Sequence, residues 1–189
     1  GETVFLVGGN GSGKSTVLRT ITGLLPHDGG AIRVDGNSVV GNLIAGYREL
    51  FSAIFVDFHL FDKLYGLEDV DPIDVNKMID DMGLSGKVFF EDGRFNELAL
   101  STGQRKRLAL IAALLEDRPV YIFDEWAAEQ DVLFREEFYK RILPELKKKG
   151  KTIIAVTHDE RYWHIADRVV KMDLGSIEWE CAGTDLEAQ

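Results

Sequence analysis

Residues 8–16 read Gly8-Gly9-Asn10-Gly11-Ser12-Gly13-Lys14-Ser15-Thr16 and satisfy the pattern G-x-x-x-x-G-K-S/T. Glycines at this spacing let the backbone curl until successive N–H groups point at phosphate oxygens. Lys14 then reaches the β- and γ-phosphates of a nucleotide, and the Ser15 hydroxyl ligates Mg²⁺. A helix starting here adds the positive end of its dipole. With glycine near 7% of ordinary sequence, a chance match in one chain of this size has odds of roughly 1% or less. A nucleotide-phosphate site over Asn10, Gly11, Ser12, Gly13, Lys14, Ser15 and Thr16 is therefore expected. The second constellation is Val120-Tyr121-Ile122-Phe123-Asp124-Glu125, four apolar residues followed by two acids. Asp124 is placed to hold Mg²⁺ directly or through water, and Glu125 to polarise an attacking water. By themselves these are as readily two solvated carboxylates at a strand end; a phosphate loop in the same chain favours the catalytic reading.

These groups need a scaffold that brings strand ends together. Glu2–Val7 reads as a buried strand running into the glycines, and Lys14–Leu24 as a helix broken by Pro26. Ala31–Val34 and Ser52–Val56 read as strands, and Leu43–Leu50 as a short helix. Asp71–Met82 predicts a helix with Pro72 in its first turn and Gly83 as its stop. Thr102–Leu115 is the clearest helix, with Leu108, Ile111, Ala112 and Leu115 on one face. Val120–Phe123 and Thr152–Val156 are unbroken apolar strands of the kind buried on both faces. Asp131–Lys149 predicts a long helix kinked or divided at Pro144. Arg168–Met172 and Ser176–Glu180 look like a closing pair of strands around Asp173-Leu174-Gly175. Strands alternating with helices predict an α/β fold with a mostly parallel central sheet.

Composition narrows the classes further. The chain has 189 residues, 45% of them apolar, enough for one domain with a real core. Its formal charge of −10 argues against nucleic acid as the main partner. Cys181 is the only cysteine, so no internal disulfide can form. No apolar run approaches the roughly 18 residues a membrane helix needs. The first residue is Gly1 and a strand begins almost at once, so an excerpt of a longer protein is expected. The basic run Lys147–Lys151 reads as a solvated helix end.

Leu100-Ser101-Thr102-Gly103-Gln104 lies shortly before the acidic pair. Together with the phosphate loop and Asp124-Glu125, it makes the chain resemble an ABC ATPase domain, a P-loop NTPase with a small helical subdomain. The family's signature is usually LSGGQ, and Thr102 stands at its third position. Physically the segment offers a hydroxyl, backbone N–H groups and a helix N-terminus to an anion. Ser101 or Thr102 capping the helix is compatible with that use. The resemblance implies that Ser101, Thr102, Gly103 and Gln104 face the γ-phosphate held by a second copy of the chain. It implies that Asp131 ends the D-loop and that His158, in Val156-Thr157-His158-Asp159, is the switch histidine beside the γ-phosphate. His27, His59 and His164 have no such support. The ATP-binding domain is expected to span 1–189, with the helical subdomain over about 66–115.

A narrower likeness lies in Phe123–Asp131 (FDEWAAEQD), Phe51–Phe61 (FSAIFVDFHLF) and Ala155–Asp159. These resemble the cyclic-peptide and siderophore exporters of the pyoverdine and syringomycin type. That family implies ATP and Mg²⁺ as cofactors, a homodimer of half-transporters, and a transmembrane domain in the same polypeptide. It places the chain at the cytoplasmic face of a bacterial inner membrane. Where the family carries a Q-loop glutamine, this chain has Ile54-Phe55-Val56-Asp57, so Asp57 becomes the candidate substitute at the metal. Ala112 stands where many members have arginine. The adenine-stacking aromatic is expected before Gly1. The competing readings are a soluble ABC ATPase of the translation or repair type and a non-hydrolysing nucleotide sensor. The short gap between loop and signature opposes the repair type, and Glu125 with His158 opposes the sensor.

Overall fold

A computed structural model describes residues 1–186. Its strands are β1 Thr3–Val7, β2 Arg33–Val34, β3 Asn37–Ser38, β4 Phe51–Ile54, β5 Phe90–Glu91, β6 Arg94–Phe95, β7 Val120–Asp124, β8 Thr152–Val156, β9 Arg168–Asp173 and β10 Ser176–Ala182. Its helices are α1 Lys14–Ile21, α2 Leu43–Arg48, α3 Pro72–Asp81, α4 Thr102–Glu116, α5 Val132–Glu137 and α6 Leu143–Lys148. Short 3₁₀ turns cover Trp126–Glu129 and Glu160–Ile165. No helix among the described residues is long and apolar enough to cross a membrane.

Six strands form the central sheet in the order β10-β9-β1-β8-β7-β4. All neighbours are parallel except β10, which returns antiparallel to β9. The expected mostly parallel sheet is present. Alternate side chains of each strand enter opposite layers. Phe5, Val7, Tyr121, Phe123 and Ile153 pack into the larger core with α3, α4, α5 and α6. Val4, Leu6, Ile122 and Val156 face Leu18 of α1. Because β1, β7 and β8 are parallel and in register, with Leu6 and Asp124 both opposite Val156, their carboxyl ends open at one edge. Ligands of open α/β sheets bind at such an edge.

Several boundaries differ from the sequence reading. Helix α1 stops at Ile21 rather than Leu24, because Gly23 takes a left-handed φ of 73°. Leu24 N donates to Arg19 O at 2.8 Å and Gly23 N to Thr20 O at 3.0 Å, the paired closure of a glycine C-terminus. The Ala31–Val34 strand shrinks to Arg33–Val34, paired with β3 across Asp35-Gly36. The strand expected at Ser52–Val56 runs over Phe51–Ile54, matched to Val120–Phe123 of β7. Within the expected helical lobe a second small hairpin, β5–β6, turns at Asp92-Gly93. The 131–149 helix is divided, as the proline required. Phe138–Ile142 widen into a π turn just before Pro144, which lacks the N–H that α spacing would use.

Candidate nucleotide site

The phosphate loop leaves β1 at the centre of the sheet. Gly8 has φ 137°, and a Cβ there would lie 2.2 Å from the Met172 carbonyl oxygen on β9. Only glycine lets the chain pass this close to its neighbour. Gly13 enters α1 with φ 98°, so the helix starts without a side-chain cap. The first N–H groups of α1 have no intrahelical acceptors, which leaves them to a ligand. Lys14 is buried, and its Nζ donates to Gly8 O at 3.0 Å and Gly9 O at 2.9 Å. The ammonium is thus held across the loop mouth by backbone carbonyls.

Ser15 Oγ donates to Asp124 Oδ1 at 3.1 Å, joining the first turn of α1 to the end of β7. Asp124 is only 1% exposed, and its Oδ2 is buried without a hydrogen-bond partner. Burial pushes the Asp124 carboxyl above its usual value; the nearby Glu125 charge adds to this, and the Ser15 hydrogen bond opposes it. A partnerless, desolvated carboxylate oxygen beside a hydroxyl fits a small hard cation, which takes oxygen donors and brings water or phosphate oxygens for its other positions. The pair fits Mg²⁺ on this ground.

Glu125 follows in a left-handed conformation, φ 50° and ψ 34°. This turns its side chain toward the neighbouring strand end, where His158 stands two residues past β8. Glu125 Oε1 and His158 Nε2 lie 3.1 Å apart. Both are part-exposed, with side-chain accessibilities of 33% and 45%. Next to them Thr157 Oγ1 bonds Tyr139 Oη at 2.6 Å and accepts from Asp159 N at 3.1 Å. Burial pushes the Tyr139 hydroxyl up to about 12, so it stays protonated.

The segment Ser101–Gln104 begins α4 with reciprocal caps. Ser101 Oγ accepts from Gln104 N at 3.4 Å, and Gln104 Oε1 accepts from Ser101 N at 3.2 Å. Ser101 and Thr102 are exposed. A Cβ at Gly103 would sit 2.7 Å from Glu129 O, so glycine permits the close approach of α4 to the turn after β7. Among the described residues no hydrogen bond joins this segment to the phosphate loop. Asp131 caps α5, accepting from Phe134 N at 2.9 Å, and also pairs with Arg107. That backbone hydrogen bond, with the Arg107 contact, holds its carboxyl below the usual value. Asp57 accepts from Arg19 Nη2 at 2.6 Å and its side chain is 71% exposed; among the described residues no hydrogen bond joins it to Ser15 or Asp124.

Sequence reading missed a set of residues that hold this site. Lys106 Nζ donates to Glu125 O at 2.9 Å. Arg107 Nε donates to Gln130 Oε1 at 2.9 Å, and Gln130 Nε2 to Gly103 O at 3.1 Å. Arg135 donates to the carbonyls of Ala127, Ala128 and Gln130, each at 3.2 Å. One signal was available. Lys106 shares the helical face of Leu110 and Ala113, where a lysine must be buried and partnered.

The model of the ABC transporter family matches residues 1–128, and the chain belongs to that family. The ATP-binding protein SyrD of Pseudomonas syringae pv. syringae is 46% identical over 181 residues, covering 94% of this chain and 32% of that protein. The chain thus spans about a third of that relative's length. Among solved structures, cbiO1 of Clostridium perfringens, part of the ABC transporter complex cbiONQ, is 27% identical with a TM-score of 0.76, over 100% of this chain and 80% of that one. A bacterial Atm1-family ABC exporter with ATP bound shares the fold at 22% identity with a TM-score of 0.80, over 98% of this chain and 34% of that one.

Proposed function

We propose that this ABC ATPase domain is the ATP-hydrolysing motor of a bacterial exporter of cyclic peptides or peptide siderophores. It works as a homodimer that closes on two ATP molecules, at the cytoplasmic face of the inner membrane, coupled to a transmembrane domain in the same polypeptide. The identity to SyrD over nearly the whole chain supports the exporter class. The observation that carries hydrolysis is the 3.1 Å contact of Glu125 with His158, past the ends of β7 and β8 on one side of the phosphate loop.

In this reading Lys14 exchanges the carbonyls of Gly8 and Gly9 for the β- and γ-phosphate oxygens. The backbone from Asn10 to Gly13 and the N–H groups of Lys14, Ser15 and Thr16 hold the remaining charge. Ser15 Oγ and Asp124 Oδ2 would hold Mg²⁺, with Asp57 as the further candidate. When bound, Mg²⁺ would neutralise charge developing on the phosphates. Glu125 takes a proton from the attacking water as its oxygen bonds the γ-phosphorus and the bond to the ADP oxygen breaks. His158, donating from Nε2 to the Glu125 carboxylate, fixes the side chain that orients this water. Ser101, Thr102, Gly103 and Gln104 meet the γ-phosphate of the opposite copy, and Asp131 ends the loop that crosses between copies. Residues from about 66 to 115 form the helical subdomain that presents the signature segment.

Glu125→Gln tests the reading. ATP binding should persist, the ATP-closed dimer should accumulate, and phosphate release should fall by about 10²–10⁴-fold, the usual worth of a general base. Phosphate release at the wild-type rate would remove Glu125 from its role.

A further inference from the structure

Lys106 is 1% exposed, yet it lies one turn inside α4, a helix whose start is solvent-facing. Its stem crosses the core toward the turn after β7. There Nζ donates to the Glu125 carbonyl at 2.9 Å and lies 3.4 Å from Glu129 Oε2. The contact is returned by Trp126, whose Nε1 donates to the Lys106 carbonyl at 3.0 Å. Trp126 is itself immobilised, stacked on Phe138 with ring centroids 4.4 Å apart. Glu125 and Trp126 are consecutive, so two hydrogen bonds of opposite direction grip one peptide turn from a single helical residue.

That turn needs gripping. Glu125 has φ 50°, a conformation in which a non-glycine side chain crowds the backbone. A relaxed Glu125 would leave the left-handed region and swing its carboxylate off His158. A buried ammonium aimed at the carbonyl of the strained residue opposes this, because losing the contact would leave the charge with only the longer, part-exposed Glu129 carboxylate at 3.4 Å.

We infer that Lys106 is a positioning residue for ATP hydrolysis, holding the Glu125 carbonyl so that the carboxylate stays against His158. This rests on the reading of Glu125 given above. The holding group comes from the helix that Ser101 caps. The segment read as facing the partner's nucleotide is therefore tied to the carboxylate that serves this chain's own nucleotide.

The test is Lys106→Met in the intact protein, which keeps the stem's volume and deletes its donors. It should lower kcat at least ~10-fold, a part of the ~10²–10⁴ a general base supplies, while KM for ATP stays within about twofold. The ATP-closed dimer should still form, which a general loss of structure would prevent. If Lys106→Met does not fold, Lys106→Leu removes the same donors and carries the same expectation. Wild-type kcat in the folded variant overturns the inference, as does a KM that rises in step with the loss of kcat. Glu125→Gln made alongside separates the two failures. Wild-type turnover in Glu125→Gln removes the underlying reading, whereas an inactive Glu125→Gln beside a fully active Lys106→Met removes only the role of Lys106.

Discussion

Replacing Gly8 with alanine, against Gly9→Ala as its neighbour control, isolates the close approach that shapes the phosphate loop. At Gly8 the added Cβ would fall 2.2 Å from Met172 O and 3.0 Å from Ser12 Oγ, on a backbone with φ 137°. The backbone conformation alone costs an alanine about 1–3 kcal/mol. Pushing β9 back from β1 adds about 1–3 kcal/mol of overpacking. A stiffer unfolded chain returns about 0.4–1 kcal/mol. The net is a destabilisation of about 3 kcal/mol, or roughly 6–12 °C in Tm for a domain of this size. At Gly9 nothing lies within 4 Å of the built Cβ. There the unfolded-state gain stands alone, and Tm should hold or rise by ~1–4 °C. The assay is thermal unfolding without nucleotide, so that the loop's fit to phosphate does not enter the comparison. A Gly8→Ala protein melting within about 2 °C of wild type would refute the reasoning. So would a Gly9→Ala protein that loses as much as Gly8→Ala.

Two further outcomes follow from charge placement. Asp57→Ala should raise the Mg²⁺ needed for half-maximal hydrolysis several-fold if Asp57 faces the metal. Because its pair with Arg19 is exposed and such pairs contribute about 0–1 kcal/mol, the melting temperature should barely move; unchanged Mg²⁺ dependence removes Asp57 from the site. Asp159 is gripped by Arg161 through hydrogen bonds of 2.8 and 2.7 Å, with Arg135 at 3.8 Å, and these hold its carboxyl below the usual 3.8. A depressed folded value means stability present above 3.8 and lost as pH falls through the lower folded value. Urea midpoints of wild type and Asp159→Asn should therefore differ most near neutral pH and converge in acid, and a difference independent of pH would contradict the ion-pair account.

Motifs whose parts lie close together along the chain were legible before folding. The phosphate loop needs its glycines, lysine and hydroxyl within one loop and the first turn of a helix, so their spacing is visible along the chain. The same holds for the acids at the end of β7, the Asp71-Pro72 start of α3, a cap at Ser101 or Thr102, and the stop imposed by Pro144. The hairpin partner of the expected Ala31–Val34 strand, and the whole β5–β6 hairpin, were not read, though both turns carry a local mark in Asp35-Gly36 and Asp92-Gly93. Their strands of two residues were too short for any alternation to show. Strand order emerged from folding, because β1 pairs with β8 and β9, far along the chain. Folding decided that Asp57 turns to Arg19. It also decided that Lys106 meets Glu125, 19 positions away, that Arg107 meets Gln130, and that Asp124 keeps one buried oxygen without a partner. Those facts depend on which side chains burial drives into one space. A charge or amide left in that space must take whatever partner the packing supplies, and spacing along the chain carries no record of the choice.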